Sequence, residues 1–504
     1  MDLQKKRFMN LRPAVIISAG LISGILLGYA FTYLSKVLAV IFFCVLICIL
    51  LGFTFYYFAL SKKLKGAFTI SIILAVILGV LVISLDVFSP YDKEGVSVFN
   101  GYVVKLYSEE LSSDGYTYSI ALKGDFLDCK SAKAYAEFSS KTRIFQGSKI
   151  RLIGEFTLAD SLSEFSFSTG IRYFCKVDES SVYASGFYGI IPTLKHGLLM
   201  RFEEFLPSTS ALNYALLTGE TVYIPNDVML DYQNVGIAHL FAVSGLHIGL
   251  MYGILAMLMK WVKAKPLLRF LILELVLFCY VGFCGFSASS MRAFIIISVR
   301  EIAFLLGLKP DKTTNLSISA FIVLLINPSD LFSVGFLLSF SVYLGLILLA
   351  TPLAKTLSKI FPQIISKALS SCIVAEIISL PILVDFFGKC SAFGFLFNMA
   401  VIPLVSICYP IILISTALLC VFPISLFGVF PNVLFSFINY ALYLANTELF
   451  MISGIRFSYS VLPYYLLAYS FAGKFNMSAK SYLILRIILL IALIFGICIV
   501  NLAY

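Results

Sequence analysis

Apolar runs long enough to span a bilayer, which takes about 20 residues of helix, fill most of this chain. The first three lie near 13–34, 37–60 and 66–88, separated by Lys36 and then by Lys62, Lys63 and Lys65. Basic loops stay on the cytoplasmic side. With the Lys5, Lys6 and Arg7 cluster and the 62–65 cluster both inside, the third run delivers the chain to the outer face near Ser89 and Pro90. The pattern resumes at 236, where Lys260, Lys263, Lys265 and Arg269 mark the inner end of the next run. Further crossings are predicted up to Gly307 and at about 267–285, 314–327, 331–353, 366–387, 391–422, 425–452, 459–473 and 481–503. Pro403, Pro410, Pro423 and Pro431 are expected to break up the later ones. In the first run Gly20, Gly24 and Gly28 repeat at four, a stripe for close packing that reads as packing within the chain.

Between 90 and 187 the period changes to alternation. Strand-like runs at 96–107, 116–123, 133–138, 149–154 and 171–177, with a Ser-Ser-Asp-Gly turn at 112–115, predict a small all-β domain outside the membrane. Acids slightly outnumber bases here, so any nucleic-acid face has to be local. The candidate is Lys141, Arg143, Lys149 and Arg151 interleaved with Phe138 and Phe145, charges for phosphates and rings for bases. An ordinary solvated strand pair explains the same residues. Cys129 and Cys175 are the only cysteines of this segment and face an oxidising side, which predicts a disulfide; two buried thiols are the alternative. From 188 to 235 come short amphipathic pieces too charged to span, expected to lie at the interface, with His196 and Lys195 on the polar face.

The stretch Gly236 to Gly253 places polar and backbone-permissive residues inside a spanning run. Gly245, Gly249 and Gly253 repeat at four and predict a groove for another backbone. His239 and His247 lie eight apart, roughly 12 Å along a helix, too far to share a metal unless the chain unwinds, which is easiest at Ser244-Gly245. Ser244 and His247 share a helical face as a nucleophile and base would, though no orienting acid is adjacent. Further along, Ser289 or Ser290 is expected to cap a helix carrying Arg292, the wrong end of the dipole for a cation, which a DNA phosphate or a lipid headgroup would resolve. Ionisable residues at membrane depth (Glu274, Arg300, Glu301, Glu376, Asp385 and Glu448) each need a partner or water, the bland answer for Arg300 being one of the acids. Pro381 beside Asp385, and Asn398 beside Pro403, suggest helix breaks lining a cavity.

The run His-Leu-Phe-Ala-Val-Ser-Gly-Leu-His-Ile-Gly at 239–249 closely resembles the signature of the ComEC family, inner-membrane channels for DNA uptake in bacterial natural competence. Ser289, Ser290, Arg292 and Ala293, the 379–388 segment with Asn398 and Pro403, and Asn327-Pro through Gly345 are similar to the family as well. The resemblance covers about 200–420 well and the outer segment loosely. It implies an OB-like fold for 90–187, and Glu220 stands where the family commonly has Asp. The longest members add a metallo-β-lactamase-like domain that this chain, ending in an apolar run at Tyr504, is expected to lack.

Composition narrows the class. At 60% hydrophobic and 13% charged, the chain is no soluble globule. The net charge of +10 is weak evidence for DNA, because much of it sits in orienting loops. Eleven cysteines form no CxxC pair, and no GxxxxGK[ST] loop occurs, so neither metal nor cofactor is expected. The reading is a polytopic α-helical membrane protein with an inserted all-β OB-like extracytoplasmic domain. Its divisions are 1–89 (helices), 90–187 (β domain), 188–235 (interfacial helices) and 236–504 (channel). Its expected role is to conduct single-stranded DNA through the bacterial inner membrane without being an enzyme, its N-terminus cytoplasmic. The expected partners are a helicase or motor inside, a DNA receptor outside, a separate nuclease and a second copy of itself. Polar breaks at His239, Ser244, His247, Asp385 and Asn398 would line the path. An intramembrane hydrolase using Ser244 and His247, and a secondary transporter of a small solute, are the alternatives.

Overall fold

The computed structural model describes residues 13–32, 74–81, 94–112, 115–127, 129–140, 144–159, 171, 173–178, 183–187, 190–391, 394–444, 451–453, 464–465, 467–468 and 490. The crossing expected at 37–60, most of those at 66–88, 459–473 and 481–503, and the candidates Lys141 and Arg143, lie outside these residues, as does Glu448. The chain divides into two compact units, Met1–Thr193 with Ile295–Ser333 and Leu194–Phe294 with Val334–Tyr504.

In the first unit the helix Pro13–Thr32 meets a helical piece at 74–81 through glycine. A Cβ on Gly24 would lie 2.1 Å from the carbonyl oxygen of Val76, so the expected close packing within the chain is present at this position. Ser18 Oγ donates to the Ser317 carbonyl of the helix Lys312–Ile326 at 2.7 Å. Arg300 pairs with its neighbour Glu301 at 3.7 Å, the bland answer expected for it.

Alternation builds the rest of this unit. β1 (Gly95–Ser112), β2 (Gly115–Phe126), β3 (Cys129–Ser140), β4 (Ser148–Leu158) and β5 (Tyr173–Val177) close in the circuit β1-β2-β3-β5-β4-β1, antiparallel except between β3 and β5. β6 (Tyr183–Phe187) pairs with β4 outside the circuit; its Tyr-Ala-Ser-Gly-Phe sequence carries no apolar alternation to predict it. Alternate side chains fill the interior, where the Phe126 and Phe156 rings stack at 4.1 Å beside Phe99 and Tyr173. Gly101 faces Gly124 across β1 and β2, and a Cβ on either would strike the opposite backbone and the Phe99 ring.

Two expectations fail on this alternation. Phe138 and Phe145 are each 1% exposed and belong to the barrel core, so these rings are not available to stack bases. Lys149 and Arg151 do point outward from β4. The Cys129–Cys175 disulfide is excluded by register: Cys175 stands beside Ala136, and Cys129 is seven residues away along the same strand, about 23 Å at 3.3 Å per residue, where a disulfide tolerates no more than about 7 Å. Cys175 is a buried free thiol, and burial pushes its pKa up to about 12.

The second unit is helical, and six helices among the described residues are long and apolar enough to cross a membrane: Ala238–Trp261, Pro266–Phe283, Val334–Leu357, Gln363–Phe387, Leu396–Val421 and Leu426–Tyr443. Pro423 falls in the link between two of them, but the other prolines do not break them up. Pro403 and Pro410 lie inside Gly394–Val421 and Pro431 inside Leu426–Leu444, because each costs one backbone bond in a helix that keeps many others. The carbonyl orphaned by Pro381, that of Ile377, accepts the Tyr464 hydroxyl at 2.7 Å. The crossing expected over 425–452 ends at Leu444, and Met451–Ser453 pairs instead as a strand with Lys389–Ser391.

Candidate functional site

The central motif is first of all a helix break. After the helix Asn226–Asn234, Gly236 turns the chain at φ 76°, Ala238–Leu240 form a 3-10 turn, and a new helix starts at Gly245 with Ser244 as its N-cap. The unwinding expected at Ser244-Gly245 is there. The Leu246 N–H donates to Ser244 Oγ and the Ser244 N–H donates to His247 Nδ1, both at 3.2 Å. His247 thus fills the place that Glu takes in a capping box. Its ring is 2% exposed, lies edge-on to Tyr409 at 4.9 Å, and buries an Nε2 with no hydrogen-bond partner among the described residues. A catalytic Ser–His pair holds an acid at the ring nitrogen turned away from the serine, which in His247 is Nε2. His239 is exposed on the other side of the break, its Nδ1 3.1 Å from the Gly236 carbonyl.

Among the described residues the glycine stripe meets no second backbone. A Cβ on Gly249 or Gly253 would meet nothing within 4 Å, whereas one on Gly245 would lie 3.0 Å from Arg292 Nη2. Gly245 makes room for a guanidinium. Arg292 sits in the first turns of the helix Ala288–Leu305, whose cap is Ser287, accepting from the Ser290 N–H, and not Ser289 or Ser290 as expected. Both the phosphate and the headgroup readings of Arg292 require it to be accessible, but it is 7% exposed. Its Nη1 donates to the Ser339 carbonyl at 2.7 Å, and its carbon lies 5.0 Å and 5.8 Å from the Tyr343 and Phe340 ring centroids. Ser339 Oγ donates to Ser289 Oγ at 3.0 Å. The serines and the arginine of this motif therefore tie three helices together.

A second polar group lies around Leu217. Lys195, 2% exposed, pairs with Glu220 Oε1 at 2.5 Å, and the Tyr214 hydroxyl donates to Glu220 Oε2 at 2.9 Å. Amphipathic spacing alone puts Lys195 on a wet face; the fold buries it because an acid from the next turn region neutralises it. The Tyr280 hydroxyl donates to the Leu217 carbonyl at 3.1 Å and lies 2.6 Å from the Tyr409 hydroxyl, which carries the group to His247. Neither tyrosine nor Lys195 stands out in sequence, since each is a single residue inside an apolar or amphipathic run.

The third group surrounds the turn at Gly236. A Cβ there would lie 3.2 Å from that of Ser391 and 3.3 Å from Gly394 Cα, and one on Gly394 would lie 3.0 Å from Glu376 Oε1. Asn398, buried at 7%, lies beside Glu376. Asp385, in the last turn of Gln363–Phe387, is exposed and does not join Ser244 and His247.

Apart from Lys195 and Tyr214, these groups lie inside the region recognised by comparison. A profile described as "Competence protein" matches residues 216–479, just over half of the chain. The chain belongs to the competence protein (ComEC) family. Over 224 residues it is 30% identical to "ComE operon protein 3" of Bacillus subtilis, covering 44% of this chain and 28% of that protein. Over 235 residues it is 27% identical to "Uncharacterized protein MG316" of Mycoplasma genitalium, covering 42% of this chain and 60% of that one. The match thus spans less than two thirds of either relative. No solved structure matches the chain.

Proposed function

We propose that this chain acts in DNA uptake during natural transformation, as a channel of the bacterial inner membrane that conducts single-stranded DNA into the cytoplasm. Membership of the competence family, through a match that contains the helix break, Arg292 and the Glu376–Asn398 pair, carries this reading. The barrel supports an OB-like identity for the outer domain, since five strands closing as 1-2-3-5-4-1 make the small Greek-key barrel that OB-folds use for oligonucleotides. The buried cap at Ser244 and His247 favours a channel over a hydrolase, because both partners are already engaged in ending a helix. In this reading 94–187 faces outward, the loops near Lys260 and Lys355 face the cytoplasm, and a motor, a receptor and a nuclease are separate proteins.

The test is transformation of a host strain from which the gene is deleted. Transformants should fall to background while labelled DNA still binds the cell surface, and the full chain supplied from a plasmid should restore them. Normal transformation without the gene would overturn the proposal.

A further inference from the structure

The outward face of β1, β2, β3 and β5 carries a row of rings that the core does not use. Lys105, Ala121, Tyr135 and Phe174 stand opposite one another in register across the four strands, so their side chains share one face. Phe174 is 39% exposed, and Lys105 is exposed as well. Tyr107, two residues on from Lys105, shares this face by alternation and is skipped by the β2 register at a bulge between Leu106 and Ser108. The Tyr107 and Tyr135 centroids are 5.8 Å apart, those of Tyr135 and Phe174 5.9 Å, and Lys105 Nζ lies 4.9 Å from the Tyr107 centroid. Ala121, small and 4% exposed, forms the floor beneath the rings.

Cations flank the row on both sides. On one side the next rung places Lys123 opposite Lys133; on the other side Lys176 stands between Glu137 and Glu155. Two acids share these rungs: Glu155, exposed on β4, and Glu137, which accepts the Tyr135 hydroxyl at 2.6 Å and Ser119 Oγ at 3.4 Å. Lys133 also acts on Asp330, whose carboxyl burial pushes up to about 6 although Lys133 opposes the shift. Lys105, Lys123 and Lys133 beside three rings match a strand of phosphates bearing unpaired bases. Rings alone would suit a lipid or another protein surface equally well.

We infer that this face, with Tyr107, Tyr135 and Phe174 as a stacking platform and Lys105 and Lys123 as phosphate partners, binds single-stranded DNA. The inference rests on the DNA-uptake reading above and locates its contact on the opposite side of the strand wall from Phe138 and Phe145. Each ring accepts a base by its π face, so the contact is tolerant of sequence.

The experiment is fluorescence anisotropy with a labelled 20-nucleotide oligodeoxythymidine on the full chain in nanodiscs, over a salt series. Tyr135→Ala and Phe174→Ala should each weaken binding roughly 5- to 100-fold, whereas Tyr135→Phe, which keeps the ring, should bind like the parent. The double change Lys105→Gln and Lys123→Gln should lower the slope of log affinity against log salt by about 0.7 for each phosphate left without its lysine. A parent that does not bind the oligonucleotide, or ring-less variants that keep both affinity and thermal stability, would overturn the inference. So would ring-less variants that lose only binding to phosphatidylglycerol vesicles, which would assign the face to lipid. If a deletion strain transforms normally yet ring-dependent binding persists, the uptake role fails and this surface stands.

Discussion

At the scale of single residues, Gly245 and Gly249 look equivalent in sequence and the fold separates them. A Leu at 245 would drive into Arg292 and push it off the Ser339 carbonyl, an overpacking cost of about 1 to 3 kcal/mol. A Leu at 249 meets open space among the described residues. Gly245→Leu should therefore lower the unfolding temperature of the purified protein and its transformation frequency, and Gly249→Leu should leave both near the parent; equal damage at the two sites would mean that a backbone does pack there. Ser244→Ala removes a helix cap and should cost about 1 kcal/mol, read in the same thermal scan. In the barrel, the buried Cys175 thiol, pushed up to about 12, stays protonated at pH 8. It should resist iodoacetamide until the protein is denatured; fast alkylation of the native chain would contradict its burial.

The element scale turns on how helices are tied to one another. Lys195 of Ile190–Phe205 and Glu220 beyond Ser210–Thr218 form a pair from which water is almost excluded. Removing one partner leaves a buried charge, so Glu220→Ala should destabilise by about 3 to 5 kcal/mol. The double change Lys195→Met with Glu220→Leu should recover most of that loss, as measured by a double-mutant cycle on thermal unfolding. Strict additivity of the two single changes would show that the pair is not coupled. Helix ends and spans were legible from hydropathy, but the effect of proline was not. Whether Pro381 ends a helix depends on whether some other group takes up the Ile377 carbonyl, and Tyr464 is 87 residues away.

For the whole molecule, orientation is the testable quantity. Lys149 is exposed on the barrel and Lys260 is exposed at the end of the central helix, on what basic loops assign to opposite sides of the bilayer. In intact cells a membrane-impermeant maleimide should label Lys149→Cys and should reach Lys260→Cys only after permeabilisation. The opposite pattern would invert the topology and place the barrel in the cytoplasm.

Periodicity alone was enough for the two kinds of structure in this chain, because burial on one face imposes period two on a strand and lipid imposes long apolar runs on a helix. The motif at 239–249 was likewise legible, since its glycine and histidine spacing is unusual for a spanning segment. Which face of a strand turned inward was decided by the closure of the sheet. The interior had to take Phe138 and Phe145 and leave Tyr135 and Phe174 outside. Partners far apart in sequence, Arg292 with Ser339, Lys195 with Glu220 and Tyr280 with Tyr409, were decided only by packing. A buried polar group takes whichever neighbour the fold brings within reach, and nothing local records that choice.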